Sequence, residues 1–341
     1  MNIGLSILFI VVGIFLLIQS GKRVVHSLVV IARYLGMSEF ILSFVLVAFA
    51  TSLPEMTVGI NSALGGIPEL SFGNILGAVV INFTLVLGIV AIVGGNIALK
   101  DYDHFRQNRF FEFALLLSPL LLMLDGSISR IDGGILLLLF AWNLIRLLDI
   151  DDMILGRKVL RPHLEEHIHH TASSKKEFFK NLAVFVVSVA VLISAAILVV
   201  TGAKTISAEI GLSNVLIGIL VVSVGTSLPE LTIGIRGARS KKGGISLGDI
   251  FGASVINSTF TLGMVSMIEP IYLENKTTLW LGIIFTSLAF SSVLFFLRSQ
   301  KSSITRKEGV VLVLIYLAFA VLQIRCFFCG DYLNVFSLLR F

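Results

Sequence analysis

Hydrophobic residues along this chain gather into long runs that polar residues interrupt only briefly. A helix that crosses a membrane needs about 20 mostly apolar residues, and ten runs of this kind occur. They lie near 3–20, 40–61, 72–95, 110–125, 131–148, 181–201, 214–236, 246–268, 279–297 and 309–325. The pattern predicts an all-α integral membrane protein with ten transmembrane helices.

The second half of the chain repeats the first, so that residue 48 aligns with residue 223. AFATSLPEMTVGI (48–60) matches SVGTSLPELTIGI (223–235), and GNILGAVVINFTLVLG (73–88) matches GDIFGASVINSTFTLG (248–263). Each half contains five predicted spans, an odd number, so the two halves have opposite orientations in the membrane. Inverted-topology repeats are typical of secondary transporters, whose substrate sites lie near the midplane where the repeats meet.

This repeat defines the predicted organisation of the chain. The first five-helix repeat covers 1–148 and the second covers 181–325, with a cytoplasmic linker at 149–180 and an extracytoplasmic tail at 326–341. We expect the N-terminus outside, because cytoplasmic loops of membrane proteins are rich in Lys and Arg. In that orientation all but five of the 26 Lys and Arg residues lie inside; the exceptions are Arg130, Lys204, Lys276, Arg325 and Arg340.

Composition agrees with this assignment. Hydrophobic residues make up 56% of the 341 residues and charged residues 14%, whereas soluble domains have roughly 45–50% and about 25%. These values exclude a cytosolic enzyme, a nucleic-acid-binding module and a disordered protein. Two cysteines give no disulfide framework. The expected partners are the bilayer and transported cations, with no nucleic acid, no obligatory protein partner and no cofactor.

Glu55 and Glu230 are matched carboxylates in the middle of predicted spans. An ionisable residue at that depth is costly and is a functional-site candidate by default. If the inverted repeats cross at the midplane, the two glutamates converge and require a divalent cation or protons between them. A protonated, hydrogen-bonded pair with a purely structural role is the alternative.

A proline precedes each glutamate, at Pro54 and Pro229. Proline inside a helix removes one backbone hydrogen bond and so frees a carbonyl oxygen. Thr51 and Ser52 lie four and three residues before Glu55, so all three side chains can face one site. The motif therefore offers hard oxygen ligands, which suit Ca²⁺ and Na⁺.

The second element of each repeat is rich in glycine, which lets transmembrane helices approach closely. Asn82 and Asn257 occupy matched positions within it and can supply amide oxygens to the same cavity.

The doubled TSLPE motif (51–55 and 226–230), each copy followed by a G-[ND]-x-x-G element, resembles the two alpha repeats of the cation/Ca²⁺ exchanger superfamily, in particular its prokaryotic sodium/calcium exchanger branch. The resemblance covers both halves of the chain. It implies alternating access, with Ca²⁺ and Na⁺ or H⁺ competing for one cluster of ligands. The ligands that the resemblance implies are Glu55, Glu230, Thr51, Thr226, Ser52, Ser227, Asn82 and Asn257. Asp249 and Asn74 are further candidate ligands.

The chain departs from the family pattern in its second elements. Ala78 and Ala253 stand where the family usually has serine ligands, and Asn257 stands where the second repeat commonly has aspartate. Conversely, Asp249 occupies a position where asparagine is usual, as in its match Asn74, and restores negative charge nearer one mouth of the cavity. Loss of two hydroxyls weakens Na⁺ sites more than a Ca²⁺ site based on glutamates.

The sequence thus predicts a calcium:cation antiporter of the cell membrane that exchanges Ca²⁺ for Na⁺. A Ca²⁺/H⁺ antiporter using the same glutamates is the nearest alternative. An ion channel would also place oxygen ligands at the midplane, although the inverted repeats with proline-broken helices favour alternating access. An intramembrane enzyme is disfavoured because no intramembrane His or Cys lies near the two glutamates in the sequence.

Overall fold

The computed structural model of the protein describes residues 3–34, 47–95, 97–98, 103–148, 175–239, 243–273, 276–298 and 303–328. It is almost entirely helical, as expected when backbone polar groups must be satisfied without water. The helices of the first half are α1 (Ile3–Tyr34), α2 (Val47–Thr51), α3 (Leu53–Leu64), α4 (Pro68–Ile81), α5 (Leu87–Gly94), α6 (Asp103–Leu122) and α7 (Arg130–Leu148). Those of the second half are α8 (Lys175–Ile210), α9 (Asn214–Ile217), α10 (Ser223–Thr226), α11 (Leu228–Arg239), α12 (Gly243–Val255), α13 (Leu262–Ile268), α14 (Lys276–Arg298) and α15 (Arg306–Phe328).

Shorter elements join these helices. Three π-helical segments (Asn82–Val86, Gly218–Val222 and Ile256–Thr261) continue one α-helix into the next, and a 3₁₀ turn lies at Met123–Asp125. The strands are β1 (Ile97–Ala98), β2 (Ser127–Ile128), β3 (Ile271–Tyr272) and β4 (Ser303–Ile304). They form two antiparallel pairs, β1 with β4 and β2 with β3.

Within the described ranges, seven helical segments are long and apolar enough to cross a membrane: Ile3–Leu28, Pro68–Gly94, Lys175–Ile210, Asn214–Ile235, Leu247–Ile268, Lys276–Leu297 and Arg306–Cys326. Each corresponds to one predicted span. The other three predicted spans fall on α2 with α3, on α6 and on α7, and the first of these also reaches into residues outside the described ranges. Multiple membrane-spanning helices are therefore confirmed, while the count of ten stays a prediction.

The predicted linker and tail lie largely outside the described residues, which omit 149–174 and 329–341. Helix α8 begins at Lys175, ahead of the predicted span at 181–201.

The two halves interlock through equivalent contacts. A Cβ atom placed on Gly88 would lie 2.7 Å from the carbonyl oxygen of Gly309, and one on Gly263 would lie 3.0 Å from that of Gly133. Gly88 and Gly263 are matched positions of the repeat, so each half packs its second element against the last helix of the other half in the same way. The strand pairs also join the two halves, since β1 and β2 of the first half pair with β4 and β3 of the second half.

Helices α1 and α8 pack along each other in antiparallel directions. Gly13 faces Val199, whereas Gly202, farther along α8, faces Ile10, earlier on α1. A separate aromatic core lies where the second elements meet α14, with the Phe83 ring 4.6 Å from that of Phe251 and 5.7 Å from that of Phe290.

Candidate functional site: buried oxygen ligands between the two repeats

Each TSLPE motif interrupts a helix at its serine. Helix α2 ends at Thr51 and α3 starts at Leu53, while α10 ends at Thr226 and α11 starts at Leu228. Ser52 and Ser227 occupy the breaks. The prolines then fall in the first turn of the new helix, where a missing N–H costs nothing. The predicted break is thereby confirmed, and each glutamate lies in the first turn of α3 or α11.

The two broken helices converge on α1. A Cβ atom on Gly21 would lie 3.5 Å from Cγ of Pro54 and 3.8 Å from Cγ of Pro229. One small residue of α1 therefore faces both motifs at once. The two motifs therefore lie close together at this point of the molecule.

Glu55 and Glu230 are both 0% exposed. None of their four carboxylate oxygens has a hydrogen-bond partner. Glu55 lies next to the hydroxyl of Thr226, and Glu230 next to that of Thr51, so each glutamate faces the threonine of the other repeat. The two carboxylates repel each other electrostatically, and buried carboxylates of this kind are stable only when a cation or protons balance them.

The threonines connect the repeats a second time. Thr51 Oγ1 donates to Asp249 Oδ1 at 3.2 Å, and Thr226 Oγ1 donates to Asn74 Oδ1 at 3.1 Å. Asp249 and Asn74 are matched positions, so the two hydrogen bonds are equivalent under the repeat but one ends on a carboxylate and the other on an amide. Asp249 is buried, 3% exposed.

Asn82 is the first residue of the π-helical segment Asn82–Val86, and Asn257 is the second residue of the π-helical segment Ile256–Thr261. π-Helical turns are rare and occur frequently at functional sites. Asn82 Nδ2 donates to Ser254 Oγ at 3.3 Å, which leaves Asn82 Oδ1 buried and without a partner. Asn257 instead accepts from Thr261 at 3.5 Å.

All ten sequence-predicted residues are buried, and their unpartnered atoms are mostly oxygens. Oxygens without a hydrogen-bond partner occur on the side chains of Ser52, Glu55, Asn82, Ser227, Glu230 and Asp249. Carboxylate, hydroxyl and amide oxygens are the donors that Ca²⁺ and other hard cations prefer. Within the described part of the chain, no three His, Cys, Asp or Glu side chains lie close enough to share one metal ion.

Thr226 is hydrogen-bonded to Asn74 and lies next to Glu55, while Thr51 is hydrogen-bonded to Asp249 and lies next to Glu230. Asn82 and Asn257 contact Ser254 and Thr261 rather than either group.

Ser254 is a further buried polar residue beside the site, in addition to the residues that the sequence predicts. Its hydroxyl donates to the carbonyl oxygen of Ile250 at 2.7 Å while accepting from Asn82. A signal for it was present in the repeat, because Ser254 is a polar residue whose match in the first half, Val79, is apolar.

Comparison with known proteins identifies the family of the chain. The family model described as "Sodium/calcium exchanger protein" matches residues 5–148 and again 180–325. The putative antiporter CaxA of Alkalimonas amylolytica is 29% identical over 318 residues, covering 92% of this chain and 97% of the relative. Sodium/calcium exchanger MaX1 of Methanosarcina acetivorans is 24% identical over 354 residues, covering 94% and 98%.

A solved structure of the sodium-calcium exchanger NCX_Mj, soaked with 2.5 mM Na⁺ and 1 mM Sr²⁺, resembles this fold with a TM-score of 0.59 and 25% identity. The similarity covers 92% of this chain and 97% of that one. The family consists of ion exchangers rather than enzymes, as predicted. With two matched repeat regions that span most of its length, the chain belongs to the sodium/calcium exchanger protein family.

Proposed function

We propose that the protein is a secondary-active antiporter that exchanges Ca²⁺ for Na⁺ by alternating access, with Ca²⁺ bound between Glu55 and Glu230. The observation that carries this proposal is the pair of fully buried glutamates whose four oxygens have no hydrogen-bond partner. A divalent cation between them balances both charges and supplies the missing partners. The names of the relatives, a sodium/calcium exchanger and a putative antiporter, support the same assignment.

The remaining oxygens complete the ligand set. Ca²⁺ takes six to eight oxygen ligands, more than two carboxylates supply. We assign the hydroxyls of Thr51, Thr226, Ser52 and Ser227 and the amide oxygens of Asn82, Asn257 and Asn74 to Ca²⁺ or Na⁺, with Asp249 as a third carboxylate. No resident cofactor is part of the proposal, and the ions are substrates.

Ca²⁺/H⁺ exchange is the second candidate function. Ala78 and Ala253 remove two hydroxyls from the second elements, which weakens Na⁺ coordination while leaving the glutamates in place. In that case Glu55 and Glu230 alternate between Ca²⁺ and protons.

The proposed architecture has ten spans in two inverted five-helix repeats, with the N-terminus outside, in the plasma membrane. The matched Gly88–Gly309 and Gly263–Gly133 crossings support the repeat relation. The antiparallel packing of α1 on α8, the first predicted span of each half, supports the inversion. No protein partner is required by this arrangement.

The test is uptake of ⁴⁵Ca²⁺ into proteoliposomes loaded with Na⁺, with K⁺ or with acid. Uptake only from Na⁺-loaded vesicles is expected, whereas uptake driven by internal acid alone would select the Ca²⁺/H⁺ alternative. Glu55→Gln and Glu230→Gln are each expected to abolish uptake while the protein remains folded. Glu209→Gln, at an exposed carboxylate of α8, is the matched control and should transport normally. Retention of normal uptake by either buried variant would refute the assigned site.

A further inference from the structure

A groove with a volume of about 260 Å³ lies between helices α1 and α8. Four apolar side chains line its walls, Phe15 and Leu16 from α1 and Val187 and Val191 from α8. Phe15 and Val187 are 58% and 62% exposed, so the groove opens on the outer surface of the helix pair. Both helices are candidate membrane spans, and the groove therefore faces lipid chains rather than the interior of the protein.

One end of the groove is polar. Gln19, Ser20 and Arg23 of α1 and Ser188 of α8 line this end, and the described lining residues include no Asp or Glu. The Ser20 hydroxyl already donates to the carbonyl oxygen of Leu16 at 2.6 Å, whereas the Arg23 side chain is exposed. A guanidinium group presents several N–H donors in a planar fork that fits phosphate. The groove thus combines an apolar body with a cationic end.

The position of the groove along α1 corresponds to one leaflet of a bilayer. The candidate span of α1 begins at Ile3. An α-helix rises about 1.5 Å per residue, which places Phe15 about 18 Å and Arg23 about 30 Å beyond Ile3. The hydrocarbon core of a bilayer is about 30 Å thick. The groove therefore extends from just past the midplane to the headgroup boundary, which is the depth that one acyl chain occupies.

The charges beyond this boundary favour an anionic headgroup. Because α1 and α8 are antiparallel, α8 begins at the end of the pair where Arg23 lies. Its first six residues include Lys175, Lys176 and Lys180, all exposed, against one acidic residue, Glu177. In the proposed orientation this end is cytoplasmic, and the cytoplasmic leaflet contains anionic phospholipids that basic residues attract. Charge complementarity thus selects an anionic phospholipid over a zwitterionic one.

We infer that the groove binds one anionic phospholipid, with its phosphate at Arg23 and an acyl chain between α1 and α8. The inference goes beyond the proposed function, since it concerns a lipid and is independent of which cations are exchanged. Helix α1 also contains Gly21, which faces Pro54 and Pro229 of the two motifs. The lipid therefore stabilises the helix that contacts both halves of the site.

Native mass spectrometry of the full-length, delipidated protein in detergent tests this inference, with dioleoyl phosphatidylglycerol and dioleoyl phosphatidylcholine as probes. One phosphatidylglycerol molecule is expected to stay bound under conditions that release phosphatidylcholine. Arg23→Gln is expected to weaken phosphatidylglycerol binding about tenfold or more, since a hydrogen bond to a charged group is lost. Lys22→Gln is the matched control, because it removes the same charge from an exposed neighbour that does not line the groove.

A second pair of variants tests the apolar body of the groove. Val187→Trp places a large ring in the groove and is expected to exclude the acyl chain. Val186→Trp is the control, because Val186 is 59% exposed and is not among the lining residues. Phosphatidylglycerol should raise the thermal unfolding midpoint of the wild type and of both controls, since a ligand of the folded state stabilises it. The midpoints of Arg23→Gln and Val187→Trp should stay unchanged, and the tryptophan pair keeps the test decisive if Arg23→Gln fails to fold.

Three outcomes would overturn the inference. Equal retention of phosphatidylcholine and phosphatidylglycerol would show that charge does not select the lipid. Equal phosphatidylglycerol binding by Arg23→Gln and the wild type would remove the phosphate from Arg23. Stabilisation by inorganic phosphate equal to that by phosphatidylglycerol would indicate an anion site without a lipid. Loss of calcium uptake, by contrast, would refute the proposed function alone, because neither lipid measurement contains a transport step.

Discussion

Replacement of Gly218 by alanine tests whether close helix contact sets the width of the site. Gly218 lies in the π-helical segment before α10 and crosses α4. A Cβ atom there would lie 2.5 Å from the carbonyl oxygen of Leu70 and 2.6 Å from the backbone nitrogen of Asn74. Both neighbours are backbone atoms, so no side-chain rotation relieves the overlap.

The size of the effect follows from these distances. Ordinary contact of a Cβ atom starts at 3.4 Å, so the two helices must separate by about 0.9 Å, and overpacking of this kind costs about 1–3 kcal/mol. The same separation lengthens the hydrogen bond from Thr226 to Asn74, now 3.1 Å, beyond normal hydrogen-bonding range. We expect Gly218→Ala to lower the thermal unfolding midpoint and to raise the half-saturating Ca²⁺ concentration about three- to tenfold, since a lost hydrogen bond costs about 0.5–1.5 kcal/mol.

Thermal unfolding of the detergent-solubilised protein and ⁴⁵Ca²⁺ uptake against calcium concentration are the measurements. Gly134→Ala is the matched control, because a Cβ atom on Gly134 of α7 would meet nothing within 4 Å. Glycine to alanine in an unobstructed helix is neutral or slightly stabilising. A Gly218→Ala protein with the unfolding midpoint and calcium dependence of the wild type would refute the reasoning.

Two further predictions concern Ser254 and the glycine crossings. Ser254→Ala removes the acceptor of Asn82 Nδ2 and should weaken the apparent affinity for Na⁺ about three- to tenfold, since a lost hydrogen bond costs about 0.5–1.5 kcal/mol. Ser258→Ala, at a buried hydroxyl without a partner, is the control. Equal Na⁺ affinities in the two variants would exclude the role of Ser254. Gly88→Ala should destabilise more than Gly263→Ala, because its Cβ meets the backbone oxygen of Gly309 at 2.7 Å whereas that of Gly263 meets a flexible Leu137 side chain at 2.9 Å and backbone only at 3.0 Å. Thermal unfolding compares the two, and the reverse order would contradict the contact distances.

Much of the site is predictable because the repeat is visible in the sequence. The matched motifs identify Glu55 and Glu230, and the prolines after Ser52 and Ser227 predict the helix breaks that the structure contains. These features depend on residue type and on neighbours along the chain. A mid-span carboxylate and an intrahelical proline have the same physical meaning in any fold.

Contacts between the repeats are not predictable in the same way. The sequence repeat aligns Asn74 with Asp249, but the alignment does not show that each of them accepts a hydrogen bond from the threonine of the opposite half. The π-helical segment at Asn82 is also invisible to composition, because it depends on how the helix packs. The repeat marks Ser254 as a polar residue matched to an apolar one, but it does not show that Ser254 lies beside Asn82 across the interface.

The departures from the family pattern acquire a common physical meaning in the structure. A perfectly symmetric site would treat its two halves alike, and a Ca²⁺ ion between Glu55 and Glu230 requires no more than that. Asp249 and Ser254 break the symmetry, since their matches are Asn74 and Val79. Both lie on the second repeat and each contacts a polar residue of the first, Thr51 and Asn82. The symmetric elements therefore place matched oxygens on both sides of the site, and the asymmetric ones, Asp249 and Ser254, make its two sides chemically different.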